Sequence, residues 1–205
     1  MDNLGHLTHY GHKNICRGVT DWRMPDGSIP IEQTRDFKTV DEMNEAIVNN
    51  INKVVGQDDV LFHLGDVSFG GIDQLFKFRE RIICKNIHLV CGNHDQHIKK
   101  NNENSQSLFL SVNDRIELRI NKRLMIFDHY PISSWEELKK GSIMCHGHSH
   151  LPNNKKISIG RRIDIGIDGN LKFQPYNLIR DCFNVMSLIP VSSGFNNDHH
   201  LDNIR

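Results

Sequence analysis

The sequence lacks a net charge, its 25 Lys and Arg residues cancelling against 25 Asp and Glu. No overall electrostatic field therefore draws the chain to nucleic acid or to an anionic membrane, and any such contact has to be local. No run approaches the ~20 apolar residues of a membrane-spanning helix, and the N-terminus has no basic segment followed by an apolar stretch. A cytoplasmic protein with no membrane contact is the expectation. The five cysteines, Cys16, Cys84, Cys91, Cys145 and Cys182, are odd in number, far apart and without C-x-x-C spacing. That argues against structural zinc and for buried free thiols. Internal repeats, low-complexity tracts and long linkers are missing as well.

What is present is an ordinary globular composition, 38% hydrophobic and 24% charged over 205 residues, enough for one domain with a substantial core. We read one domain over 1–205, with polar segments at 99–107 and from about 196 onward. The departure from the norm is 13 histidines, several of them beside glycine, aspartate or asparagine.

A cap signal near Asp41 precedes Met43, Ile47, Ile51 and Val54, whose spacing fits one face of a helix. The apolar run 60–64 reads as a buried strand that ends at Gly65 and delivers Asp66 to a loop. The pattern repeats: Ile72, Leu75, Phe76 and Ile82 suit a helix, and 87–91 suits a second buried strand ending at Gly92-Asn93-His94-Asp95. From Arg115 the alternation of Ile116, Leu118 and Ile120, a turn at Asn121-Lys122 and a strand at 124–127 predict a hairpin, with His129 just past its end. A short helix is expected over 135–139, then the run 142–145, which stops at His146-Gly147-His148-Ser149-His150, and a further strand at 162–167. These alternations predict an α/β architecture of layered mixed β-sheets, a β-sandwich flanked by helices, with strand order left open.

Polar clusters recur where strands stop, and strand ends are rigidly held while the loops beyond them carry function. In an extended segment His148 and His150 point the same way. An H-x-H alone would read as a solvated turn, but Asp66, Asn93, His94 and His129 follow other strands. A mixed nitrogen and oxygen donor set suits Mn²⁺, Fe or Zn²⁺ more than Ca²⁺ or Mg²⁺. An asparagine oxygen binds weakly unless held beside a strongly charged centre. A two-metal site, with Asp66 as the shared carboxylate, supplies one and points to hydrolysis of a phosphate ester.

Taken in order, Thr8-His9, Gly65-Asp66, Gly92-Asn93-His94-Asp95, His129 and Gly147-His148-Ser149-His150 resemble the motifs of the calcineurin-like metallophosphoesterase superfamily. The resemblance covers most of the chain. It implies a β-sandwich flanked by helices around two divalent transition-metal ions, Mn²⁺ foremost, with Fe, Zn²⁺ or Ni²⁺ as alternatives. By position, His9, Asp66 and His150 resemble ligands of a first metal, and Asp66, Asn93, His129 and His148 those of a second. His94 resembles the histidine that steadies the phosphate or protonates the leaving oxygen.

One position departs from the pattern. The family's first motif is D-x-H, whereas here Leu7 stands two residues before His9. Leucine cannot coordinate, so the first metal is expected to bind more weakly and polarise water less. Asp128 is expected to point away from the site because it alternates with His129. The stretch Tyr10-Gly11-His12-Lys13-Asn14 resembles the G-H-x-N-I segment of small bacterial and phage members. There His12 and Lys13 are substrate candidates, a solvated loop being an equal reading for each, and Arg17 is a weaker one. His6, His63, His88, His97, His199 and His200 are assigned no role, and the paired Lys and Arg residues are read as solvated faces.

The expected function is therefore a metal-dependent hydrolase acting on a small phosphorylated substrate, a phosphodiester or phosphomonoester such as a nucleotide. The alternative, resting on Leu7, is a catalytically weakened protein that binds metal and sequesters a nucleotide or other phosphate ligand. A nucleic-acid-processing role is disfavoured by the neutral charge.

Overall fold

A computed structural model describes residues 3–100, 104–152, 155 and 160–191. The polar tail expected from about 196, His199, His200, Lys156 and part of the 99–107 segment lie outside the described residues.

Two mixed sheets carry the architecture. The first contains β1 (Asn3–His6), β2 (Val60–His63), β3 (Asn86–Val90), β4 (Ser111–Asn113) and, at its other edge, the short β9 (Tyr176–Asn177), in the order β4-β3-β2-β1-β9. β1 to β4 are parallel and β9 pairs antiparallel with β1. The second sheet contains β5 (Arg115–Ile120), β6 (Arg123–Asp128), β7 (Ile143–His146) and β8 (Arg162–Asp164). β5 and β6 form the expected hairpin through Asn121 and Lys122, and β6, β7 and β8 run parallel.

Strand alternation sorts the core into layers. Leu61, Ile87 and Leu89 join the layer under the helices, whereas Phe62, Leu64 and Val90 meet Met125, Phe127, Cys145 and Ile163 between the sheets. Phe62 and Phe127 stack across that interface at 5.1 Å. On the outer face of the second sheet, Leu124, Ile126 and Met144 cover Trp135.

Helix α1 (Val40–Val54) places Met43, Ile47 and Ile51 against the first sheet, all essentially inaccessible to water. Each such side chain contributes about 1.5–3 kcal/mol by burial. The cap is Thr39 rather than Asp41: its hydroxyl accepts from the Glu42 N–H, while Asp41 and Glu42 sit in the first turn where the helix dipole favours acids. Helix α2 (Ile72–Arg81) buries Leu75 and Phe78 on the same layer. The remaining helices are short, α3 (Gln96–Lys100) and α4 (Asn184–Ser187), the latter continuing a π-helical turn, Leu178–Phe183.

Two further local expectations need correction. The helix placed at 135–139 is only a 3-10 turn, Leu138–Lys140, because Glu137 takes a left-handed backbone at its start and Gly141 at its end. The strand placed at 162–167 stops at Asp164, and Ile167 opens a 3-10 turn, Ile167–Gly169. Strands β4 and β9, of three and two residues, are too short for an alternating signal. All five cysteines are buried and free. Among the described residues no helix is long and apolar enough to cross a membrane.

Candidate metal centre

The polar clusters meet at one end of the sandwich, because parallel strands in register deliver their carboxyl ends side by side. His6 pairs with His63 and His63 with Leu89 in the first sheet, and Asp128 pairs with His146 in the second. The loops beyond these pairs carry His9, Asp66, Asn93, His129, His148 and His150. Four of those residues sit in the left-handed backbone region: His9 at φ 58°, Asp66 at 49°, His148 at 62° and His150 at 49°. That conformation costs about 1 kcal/mol or more for a residue with a side chain, and such strain concentrates at functional sites.

The loops approach closely enough to require glycine. A Cβ on Gly65 would lie 2.7 Å from His129 Nδ1, and one on Gly92 would lie 2.7 Å from His129 Cε1 and 2.6 Å from the Asp66 nitrogen.

Asp66 is the hub. Its Oδ1 accepts the His94 backbone N–H at 2.9 Å, which turns Oδ2 inward to lie 3.5 Å from His129 Nε2 and 3.6 Å from His9 Nε2. The Nδ1 proton of His129 is committed to the Leu64 carbonyl at 2.7 Å, so Nε2 presents a lone pair. That lone pair faces Asn93 Oδ1 at 3.0 Å and His148 Nδ1 at 3.2 Å as well as Asp66 Oδ2. Carboxylate, amide oxygen and imidazole nitrogens brought this close are the donor types that can hold a divalent cation. Donor atoms of Asp66, His129 and His148 all lie within 4.8 Å of one another, as a single ion requires. Burial, and then His129 beside it, holds the His148 pKa down, favouring the neutral form that a metal needs.

A second set adjoins the first. His9 Nε2 and His150 Nε2 are 2.8 Å apart, and His150 Nδ1 lies 2.7 Å from Asp168 Oδ2. Burial, reinforced by His150 and Arg35, holds His9 well below the ordinary imidazole range. The donors in reach are the two imidazoles and the shared Asp66. Leu7 adds none: it is 1% exposed and packs on Gly147, where a Cβ would meet its Cδ1 at 2.5 Å.

His94 is exposed at the mouth, its ring 4.5 Å from Phe69 and 6.4 Å from His9. His12 stacks flat on Phe69 at 3.7 Å and lies 5.5 Å from His9, its pKa lowered to about 4 by burial and then by His94. The other two substrate candidates are engaged away from the cluster. Lys13 pairs with exposed Asp21 at 2.8 Å, and Arg17 binds Thr34, the Ile31 carbonyl and Asp36. Asp128 points elsewhere as expected, pairing with Arg115 and capping the Tyr130 N–H.

Three residues of the site escaped sequence reasoning. Asp95 accepts three backbone N–H groups, from Asp66, Val67 and Gly92, at 2.7–3.0 Å, tying two loops together. It belongs to the Gly92–Asp95 cluster, so a signal was present. Arg35 and Asp168 lie 133 residues apart in the chain, and no local pattern marks either.

Comparison with known proteins gives the family of the chain. The family model described as the calcineurin-like phosphoesterase superfamily domain matches residues 41–171. The gene 66 protein of Mycobacterium phage D29 is 23% identical over 202 residues, covering 86% of this chain and 92% of its own. An uncharacterized protein of Methanocaldococcus jannaschii, MJ1445, is 30% identical over 181 residues, 83% of each chain. Among solved structures, the protein of unknown function AQ665 from Aquifex aeolicus superposes with a TM-score of 0.56 at 18% identity, over 85% of this chain and 95% of that one, a likeness of fold. With the family model spanning 41–171 and these relatives matching over most of their lengths, the chain belongs to the calcineurin-like phosphoesterase superfamily.

Proposed function

We propose that the protein hydrolyses phosphate esters with metal-activated water, and that its firmly held ion sits among Asp66, Asn93, His129 and His148. The observation that carries this reading is that Asp66 Oδ2, Asn93 Oδ1 and His148 Nδ1 all lie within 3.5 Å of His129 Nε2, a mixed oxygen and nitrogen set suited to a divalent cation. A divalent ion there supplies Lewis acidity and a bound water of lowered pKa. Mn²⁺ is our first choice, with Fe, Zn²⁺ or Ni²⁺ as alternatives.

The chain's own groups supply the rest. Asp66, with one oxygen fixed by the His94 N–H, keeps the other between the two subsites. His9, Asp66 and His150 form the weaker first subsite. His94, exposed at the mouth and braced by Phe69, donates a proton to the departing alcohol oxygen. His12 contacts the substrate's phosphate side, and Lys13 does so only after leaving Asp21. The substrate is a small phosphodiester or phosphomonoester, a nucleotide being the natural candidate, and we place the protein in the cytoplasm as a single domain.

A second reading, a binding protein that sequesters a phosphate ligand, is favoured by the burial of Leu7 against Gly147, which leaves that flank of the first subsite apolar. Titration of Mn²⁺ into the purified protein with an aryl phosphodiester separates the two. Hydrolysis rising with metal is the expected result, whereas no turnover at any metal level, together with tight nucleotide binding, sinks the enzyme reading.

A further inference from the structure

The two imidazoles of the first subsite belong to loops 141 residues apart, yet a single guanidinium fastens both. Arg35 Nη1 donates to the Thr8 carbonyl at 2.6 Å, the peptide that leads into His9. Its Nε and Nη2 donate to Asp168 Oδ1 at 2.7 Å and Oδ2 at 2.9 Å. That same Oδ2 lies 2.7 Å from His150 Nδ1. Arg35 is 5% exposed and is itself pinned by backbone bonds to Ile15 and Arg17. Asp168 is set by the Ile167–Gly169 turn, whose Ile167 and Gly169 are buried.

This arrangement has a chemical consequence. A carboxylate accepting from one ring nitrogen of a histidine fixes its tautomer, orients the ring and raises the basicity of the other nitrogen. Both oxygens of Asp168 accept from the Arg35 guanidinium, at 2.7 and 2.9 Å, so the carboxylate faces His150 Nδ1 as an acceptor. The Nδ1 proton of His150 is therefore donated to Asp168, and its Nε2 lone pair is turned to His9. The flank occupied by Leu7 offers no charge, so the negative charge available to the subsite comes from Asp66 in front and from Asp168 behind the imidazole.

Resting on the metal-dependent reading above, we propose that Asp168, carried by Arg35, is a positioning residue of the first subsite. It holds His150 with Nε2 toward His9 and delivers through the ring the negative charge that Leu7 does not supply. It is the bidentate fork of Arg35 that makes this possible, since a lysine ammonium cannot bond both oxygens of Asp168 and the Thr8 carbonyl in one plane.

The test uses the full chain, as wild type, Asp168→Asn and Asp168→Glu. Long-range ¹H–¹⁵N spectra of the metal-free protein report the tautomer of each histidine. Calorimetric titration with Mn²⁺ reports the two affinities, and thermal melts report folding. The expected result is a Nδ1-protonated His150 in wild type. In Asp168→Asn the weaker Mn²⁺ affinity falls about 10–100-fold while the tighter one is unchanged. Asp168→Glu, which keeps the charge, recovers most of that loss. A His150 protonated on Nε2 in the wild type overturns the proposal, as does an Asp168→Asn protein that melts earlier yet binds both ions as before. A wild type that takes up one ion only also overturns it. If the wild type binds no ion at all, the hydrolase reading fails, and the His150 tautomer alone then decides the positioning role.

Discussion

Asp95 accepts the backbone N–H of Asp66 at 2.7 Å, and through it the loop after β3 holds the loop after β2. The same carboxylate takes the N–H groups of Val67 at 3.0 Å and Gly92 at 2.8 Å, and it is wholly buried. Three donors on two acceptor oxygens leave no room for a donor. Asp95→Asn, whose amide turns an N–H toward one of those backbone groups, is expected to destabilise the fold by about 2–3 kcal/mol. Urea unfolding measures it, and a loss under about 0.5 kcal/mol would mean the loop junction is held by other contacts.

Removing the hub is expected to be more selective. Asp66→Asn keeps the shape of the side chain but lowers its charge, so Mn²⁺ binding and phosphodiester hydrolysis should both fall by on the order of 100-fold or more. The fold should be retained, as judged by circular dichroism. His148→Ala, at an exposed position, is expected to behave alike with even less effect on stability. Chelation of the wild type should reproduce the loss reversibly, and activity that survives exhaustive chelation would contradict a metal-dependent mechanism.

Leu7→Asp gives a linkage experiment. Leu7 is buried against Gly147, so a carboxylate placed there without an ion loses apolar packing and is desolvated. The metal-free variant should therefore melt below the wild type. If position 7 borders the first subsite, saturating Mn²⁺ should raise the variant's Tm by more than it raises the wild type's, because the ion binds only the folded form. An equal metal-induced shift in both proteins would show that position 7 does not face the ion.

Acid sensitivity follows from three histidines buried away from the site's mouth. Burial pushes the pKa of His6 down to about 3 and that of His146 to about 4, and holds His63 well below its ordinary value. In the unfolded chain each titrates near 6.5. Between that value and the folded pKa the unfolded state binds protons that the native state refuses, so stability rises with pH across this window and falls as the solution is acidified. Well below 6.5 each such group contributes about 1.4 kcal/mol per pH unit. Urea midpoints should therefore drop sharply from pH 7.5 to 5.5, and His6→Leu should flatten the slope. A wild-type midpoint that does not move over that range would refute the assignment.

The helices α1 and α2 and the β5–β6 hairpin were legible because each is written in a local period, and the buried strands β2 and β3 because each is a short apolar run that stops at glycine. Met43, Ile47 and Ile51 mark one helical face, and Ile116, Leu118 and Ile120 mark one side of a strand. The short edges were not: β9 has two residues and β4 three, and they exist because a neighbouring strand offers backbone partners. Trp135 has the surroundings of a helix in sequence, yet it packs on the second sheet beside a single turn.

For the site, the polar residues after each strand could be named from sequence because glycine, aspartate, asparagine and histidine cluster there. The sequence by itself determined which donors exist, and that position 7 carries none. Only the tertiary structure decided how they are used. It turned Lys13 to Asp21 and seated Leu7 on Gly147. It also set Arg35 and Asp168 behind His150. Those outcomes depend on pairings between loops far apart in the chain, and such pairings follow from strand order and register, which no local pattern of residues encodes.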